Sequence, residues 1–153
     1  MIITAVDSSA ILRLCFREGA LAHIHRTMET APAVSVLAAV EVPIAIAARF
    51  HRGAINKTAR DDYLRLSEAA LSATAQIAFT DEIRVEAARI GSQFLVRALD
   101  AIHLATAVVL AQRGRPRGDV VRFCTADLRQ TGAATALFGA ANVDLVPPLG
   151  AGR

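Results

Sequence analysis

The fold is decided by the stretch that opens the chain, Ile2-Ile3-Thr4-Ala5-Val6-Asp7-Ser8-Ser9-Ala10-Ile11-Leu12. Its first five residues are mostly β-branched or small and apolar, which is typical of a strand buried on both faces, and an apolar pattern at helical spacing follows. Asp7 therefore lies at the carboxyl end of a strand, the edge where open α/β sheets bind ligands. The same position suits a helix N-cap, because Asp accepts hydrogen bonds from first-turn amides. Both roles stay open for Asp7.

Composition indicates a single ordered domain. The chain has 153 residues, of which 54% are hydrophobic, and we expect a domain over residues 1–147 followed by a frayed tail over residues 148–153. No uncharged run is long enough to span a membrane, and no basic segment precedes the first apolar run, which predicts a cytoplasmic protein without a membrane partner. The net charge of +3 permits nucleic-acid binding without requiring it. Cys15 and Cys124 are expected to be small buried apolar residues.

Strand-like and helix-like segments alternate along the chain. Apolar runs and turn signals predict five strands, at residues 2–6, 33–36, 76–79, 119–125 and 143–146. Helical periodicity predicts helices at residues 10–16, 21–28, 37–50, 58–72, 80 to about 91, 99–113 and 128–138. Strands separated by helices pair in parallel and are covered on both faces. The expected fold is therefore α/β, with a central parallel sheet of about five strands in a three-layer α/β/α arrangement.

Four of the fourteen acidic residues lack an ordinary surface role. Asp7 and Asp127 each follow a strand, whereas Glu41 and Asp100 lie within apolar helices. An unpaired buried carboxylate is costly, so it must find a partner, take up a proton or bind a cation. If the first and fourth strands are neighbours, Asp7 and Asp127 meet at one sheet edge, and the two helices can bring Glu41 and Asp100 to the same place. The sequence thus predicts an acidic cluster.

Such a cluster indicates a hard metal ion. Several carboxylates stay ionised together only when a cation offsets their repulsion, and all-oxygen ligands favour Mg²⁺ or Mn²⁺. A site of this kind suits hydrolysis of a phosphodiester by metal-activated water.

The ordered acidic motifs resemble those of PIN domains, and their order and the chain length are most similar to the VapC toxins of bacterial toxin–antitoxin pairs. The resemblance extends from residue 2 to about residue 146. It is carried by four motifs: Asp7-Ser8-Ser9-Ala10-Ile11-Leu12, Ser35-x-Leu37 leading to Glu41, Asp100-Ala101-x-x-Leu104-Ala105-x-Ala107, and Thr125-x-Asp127. The resemblance implies a Mg²⁺- or Mn²⁺-dependent endoribonuclease that forms homodimers, cleaves RNA and is blocked by a cognate antitoxin protein.

Carried over residue by residue, the resemblance assigns metal binding and catalysis to four acids and polar support to two hydroxyl residues. The acids are Asp7, Glu41, Asp100 and Asp127, and the supports are Thr125 and Ser8. Family members often have a further acidic residue shortly after the position of Asp127, where this chain has Leu128, Arg129 and Gln130. The choice between one and two metal ions therefore stays open.

Three alternatives accompany this interpretation. A PIN-like fold retained as an inactive RNA- or protein-binding module is the main rival to the nuclease. His103 lies one turn beyond Asp100 and is either a partly buried helix residue or part of the site. Several arginines are either phosphate contacts or solvated surface charges, namely Arg13, Arg49, Arg52, Arg97 and Arg129. A P-loop enzyme is excluded because the chain has no Gly-rich phosphate loop.

Overall fold

The structure is a computed structural model that describes residues 1–16, 25, 27 and 29–146. The helix predicted at residues 21–28 lies outside the described residues except at His25 and Thr27, and the predicted tail lies wholly outside them. Within the described part of the chain, no single helix is long and apolar enough to cross a membrane.

The centre of the molecule is a parallel sheet of five strands in the order β3-β2-β1-β4-β5. The strands are β1 (Ile2–Val6), β2 (Ala31–Ser35), β3 (Ala75–Ile77), β4 (Val120–Thr125) and β5 (Val143–Leu145). This confirms the predicted parallel α/β sheet. Strands β1 and β4 are neighbours, with Val6 opposite Cys124. The order of strands reverses between them, so this edge of the sheet is its switch point.

Six α-helices connect the strands in the described part of the chain. They are α1 (Ser8–Cys15), α2 (Ala38–His51), α3 (Lys57–Ser72), α4 (Asp81–Phe94), α5 (Ala98–Gly114) and α6 (Leu128–Phe138). Short 3₁₀ turns follow α5 and α6 at Arg115–Arg117 and Ala140–Asn142.

The helices form one layer on each face of the sheet, and each layer has its own apolar core. Ala5 and Phe123 pack on one face with buried residues of α4, α5 and α6. Val6 and Cys124 pack on the other with α1, α2 and α3. Neighbouring strand residues thus enter opposite cores, because side chains alternate along a strand. Cys15 and Cys124 are fully buried, as predicted.

Two element boundaries differ from the sequence prediction for identifiable reasons. Strand β2 begins at Ala31 and contains Pro32, which was predicted to precede the strand. Pro32 pairs with β1 alone, since β3 starts opposite Ala33, and a residue paired on one side can lack an N–H. Helix α4 continues past Gly91, which packs against α5 instead of ending the helix. It ends at Phe94, and the C-cap residue Leu95 has a left-handed φ of 54°.

Candidate active site

Asp7 caps a helix and also lies at the sheet edge, the two positions that its place in the sequence predicted. It is the N-cap of α1, where its carboxylate accepts from the backbone N–H of Ser9 at 3.3 Å. Its own N–H donates to the carbonyl of Cys124 at 2.8 Å, so the residue is fixed at the β1/β4 edge. The side chain is almost wholly buried, with the residue 1% exposed. A buried carboxylate in this position needs several donors around it.

Those donors all reach one oxygen of Asp7. Its Oδ2 accepts from Ser9 Oγ at 2.5 Å, from Thr125 Oγ1 at 3.1 Å and from Gln130 Nε2 at 3.1 Å. The other oxygen, Oδ1, has only the longer contacts of 3.5 Å to Ser8 Oγ and 3.6 Å to His103 Nε2. The structure therefore places Thr125 beside Asp7 as a support, whereas Ser9 makes the short hydroxyl contact for which Ser8 was the candidate.

Asp100 lies in the first turn of α5 and is joined to Asp7 by one amide. Nε2 of Gln130 donates to Oδ1 of Asp100 at 3.1 Å as well as to Asp7. Arg97, just before α5, donates to the same carboxylate from Nε at 2.9 Å and from a terminal nitrogen at 3.3 Å. Both oxygens of Asp100 are therefore engaged.

Glu41 and Asp127 lie at the two ends of the cluster. Oε2 of Glu41, on α2, is 2.5 Å from Nε2 of His103. Asp127 caps α6 and binds the guanidinium of Arg129 with both oxygens, at 2.6 to 3.1 Å, while Arg97 lies 3.5 Å away. The hydrogen bond from Arg129 holds the pKa of Asp127 below its ordinary value, against the opposing effect of partial burial.

Together these contacts form a row in which acids and donors alternate. Its order is Glu41, His103, Asp7, Gln130, Asp100, Arg97, Asp127 and Arg129. Each neighbouring pair of acids is bridged by one donor side chain. Within the described residues, accordingly, no three metal-ligating side chains are grouped closely enough to hold a metal ion.

The row nevertheless has the donor chemistry of a site for a hard cation. Mg²⁺ is usually held by only one or two carboxylates and keeps several waters. Asp7 and Asp100 are such a pair, because both contact one nitrogen of Gln130 and Oδ1 of Asp7 has only long contacts. Oε1 of Gln130 is buried and has no hydrogen-bond partner among the described residues. These side chains fit one divalent cation held mainly by Asp7 and Asp100.

An arginine-rich cleft opens beside the acidic row. It has a volume of about 560 Å³, and Asp127 and Arg129 belong both to its lining and to the row. Four arginines line it, namely Arg13, Arg49, Arg52 and Arg129. The guanidinium of Arg49 lies 3.8 Å above the ring of Phe16, another lining residue. Four of the five arginines considered from the sequence therefore share one surface, whereas Arg97 lies within the acidic row.

Sequence reasoning missed Ser9 and Gln130. Ser9 Oγ also accepts from the N–H of Ala126 at 2.9 Å, so it joins α1 to the residue after β4. The available signal for Gln130 was its spacing, since it follows Asp127 by three residues and so lies in the first turn of the helix that Asp127 caps.

Solved structures from several organisms share this fold. PAE2754 from Pyrobaculum aerophilum has a TM-score of 0.63 and 17% identity, covering 94% of this chain and 83% of that chain. VapBC2 from Rickettsia felis, bound to a DNA fragment from its promoter, has a TM-score of 0.63 and 11% identity, covering 97% and 99%. A toxin-antitoxin complex from Klebsiella pneumoniae has a TM-score of 0.55 and 20% identity, covering 94% and 95%.

Sequence comparison gives the family. No curated protein matches the chain. The family model described as PIN domain matches residues 4–129, which include all four acids of the row. This chain therefore belongs to the PIN domain family.

Proposed function

We propose that this protein is a divalent-cation-dependent endoribonuclease and the toxin of a VapBC-type toxin–antitoxin pair. The observation that carries the proposal is the alternating row at the β1/β4 edge, which brings carboxylates from four separate parts of the chain together, with Asp7 and Asp100 buried and Glu41 and Asp127 half-buried. A fold gains little from burying charges such as those of Asp7 and Asp100, since replacing buried ion pairs by apolar residues is often neutral or stabilising. A catalytic use of the acids explains why they are together.

Asp7 and Asp100 are the residues that we expect to hold Mg²⁺ or Mn²⁺. Glu41 and Asp127 add further negative charge to the site. When bound, such an ion supplies a Lewis acid that polarises a phosphodiester and lowers the pKa of a water. The protein's own contribution is to fix the acids. Ser9 and Thr125 hold Oδ2 of Asp7, and the cap at the start of α1 fixes its backbone.

The arginine-lined cleft supports RNA as the substrate. Arginine binds phosphate oxygens through its planar fork, and such contacts position a nucleic acid without reading its sequence. Because Asp127 and Arg129 belong to both the cleft and the row, a strand whose phosphates contact Arg49 and Arg52 passes beside the acids. RNA bound in the cleft would therefore lie next to the proposed hydrolytic site.

The toxin role rests on similar structures and on the motif order. The Klebsiella structure is described as a toxin-antitoxin complex. By that similarity we propose an antitoxin protein as the partner of this chain. We also propose a homodimer, for which Val40 and Ile44 offer exposed apolar surface one turn apart on α2.

A second candidate function is an inactive RNA- or protein-binding module. The observation in its favour is that Arg129 and Arg97 already engage Asp127, and that His103 engages Glu41. In such a module the donors would neutralise the acids permanently. In the nuclease they hold the acids only until a cation arrives.

Cleavage by the purified protein tests the proposal. A long structured RNA is incubated with wild type, Asp100→Asn and Asp62→Asn, each with Mn²⁺, with Mg²⁺ and with chelator. Asp62 is the matched control, since it is a partly exposed aspartate of α3 that pairs with Arg65. We expect cleavage by wild type and Asp62→Asn only when a cation is present, and none by Asp100→Asn. RNA binding without cleavage under every condition would establish the inactive module instead.

A further inference from the structure

We infer that Gln130 is a positioning residue for the cation site, and the inference rests on the proposed function. Gln130 is 1% exposed and lies where family resemblance leads one to look for another acid. One of its atoms, Nε2, contacts Asp7 and Asp100 at the same distance of 3.1 Å. It is the one carboxamide among the side chains that bridge the acids of the row, the others being His103 and Arg97.

The orientation of the amide follows from its surroundings. A carboxamide has two donors on nitrogen and two acceptor positions on oxygen, and ionised carboxylates only accept. Nitrogen must therefore face Asp7 and Asp100, and both of its protons are used. The consequence is that Oε1 is buried without a donor among the described residues. A fully buried polar group with an unpaired oxygen is unusual and calls for an explanation beyond packing.

The role of Gln130 follows from which carboxylate oxygens its nitrogen contacts. On Asp7, Gln130 contacts Oδ2, which Ser9 and Thr125 also hold, and it leaves Oδ1 with only long contacts. Gln130 therefore fixes the two carboxylates relative to one another without covering Oδ1. Partners that hold metal-binding carboxylates in this way typically change metal affinity by about 10- to 100-fold when they are removed. The neutral amide also adds no charge, so the pair keeps its attraction for a cation.

Binding of Mn²⁺ alone tests the inference without relying on activity. The full chain is prepared as wild type, Gln130→Met, Gln130→Glu and Gln112→Met, the last being a control at an exposed glutamine of α5. Free Mn²⁺ is measured by electron paramagnetic resonance, and thermal melting is recorded in chelator and in Mn²⁺. Methionine keeps the length of the side chain without its donors, and glutamate keeps the shape while replacing the donor by a third carboxylate.

We expect Gln130→Met to bind Mn²⁺ about 10-fold more weakly than wild type and Gln112→Met. Gln130→Glu should melt below wild type in chelator, and Mn²⁺ should raise its melting temperature by more than it raises that of wild type, because the ion offsets the added charge. A purely structural glutamine would lower stability equally with and without Mn²⁺. If both Gln130 variants bind Mn²⁺ with wild-type affinity, the inference about Gln130 is wrong, but the proposed cation site is unaffected. A wild type that binds no Mn²⁺ would overturn the proposed cation site together with the inference.

Discussion

His103 of α5 and Glu41 of α2 are in contact although their helices pack on opposite faces of the sheet. Nε2 of the imidazole lies 2.5 Å from Oε2 of the carboxylate. Burial lowers the pKa of His103, but the hydrogen bond to Glu41 and the charges of Asp7, Glu41 and Asp100 outweigh it and raise the pKa above the ordinary value. These acids therefore stabilise the charged form of the imidazole relative to the neutral form. His103, for which the sequence allowed either a core or a site role, belongs to the acidic row.

Replacing His103 should destabilise the cation-free protein. His103→Phe leaves Glu41 without its hydrogen-bond partner and removes the nearby imidazole from Asp7. A buried polar group without a partner costs about 1–3 kcal/mol of unfolding free energy. The cost should be larger in chelator than in Mn²⁺, because a bound ion can offset the same charges. Urea unfolding at pH 7 in both buffers measures it. Equal losses in the two buffers would indicate that His103 acts through packing only.

Replacing Asp7 should affect both stability and cleavage. Asp7→Asn offers an amide where Oδ2 now accepts from three side chains, and it weakens the cap of α1. We expect the free energy of unfolding to fall by about 1–3 kcal/mol. RNA cleavage should fall by more than the roughly 10- to 100-fold that is typical when only a partner of a metal ligand is removed. Urea unfolding and cleavage at a temperature where the variant is folded measure the two effects.

Ser9→Ala separates these two roles of Asp7. It removes one donor to Oδ2 and the acceptor of the Ala126 N–H, but it leaves every carboxylate in place. It should therefore lose stability as Asp7→Asn does while keeping measurable cleavage. A folded Asp7→Asn protein with wild-type cleavage would assign Asp7 to capping alone.

The arginine-lined cleft should bind RNA in the absence of a cation. In chelator, Arg49→Ala combined with Arg52→Ala should weaken binding of a single-stranded RNA oligonucleotide, followed by fluorescence anisotropy. The dependence of log affinity on log salt should become shallower by about 0.7 for each phosphate that the variant no longer neutralises. Arg84→Ala combined with Arg65→Ala is the control, because it removes the same charge from α4 and α3 outside the cleft. If both double variants weaken RNA binding equally, the binding depends on the overall charge of the protein and not on the cleft.

The thiol of Cys15 should make stability depend on alkaline pH. Burial raises its pKa from 9.0 to about 11, so the folded protein keeps a proton that the unfolded chain releases. The stabilisation is complete below the unfolded value and is lost as pH rises from about 9 to about 11. Unfolding free energies from pH 8 to 10.5 should thus fall more steeply for wild type than for Cys15→Ala. Parallel curves would contradict the raised pKa.

The sequence predicted the sheet because its signals are local. Residues 2–6 and 120–125 are apolar enough to be buried on both faces, and the helices between strands force parallel pairing. The convergence of Asp7 and Asp127 followed from that topology, because both residues end neighbouring strands. The motif order then indicated Glu41 and Asp100, which the structure places in the same row.

The donors between the acids could not be predicted in the same way. Gln130 reaches Asp7 across 123 residues of sequence, and its role depends on the angle at which α6 leaves β4. The choice of Ser9 over Ser8 depends on the phase of the first turn of α1, which begins at Ser8 and not at Ala10 as expected. Such contacts are set by tertiary packing to within an ångström, and spacing in the sequence does not carry that information.

Because β1 lies at the centre of the sheet and pairs with β4, the acidic row can form only after β4 has been synthesised. Asp7 is translated more than a hundred residues before Thr125, Asp127 and Gln130, and β4 must pair with β1 before these residues meet. Pairings so distant in sequence form late in folding. A partly made chain, or one whose synthesis stops before β4, therefore lacks the complete row. For the nuclease proposed above, the hydrolytic site would therefore be complete only after translation has passed β4.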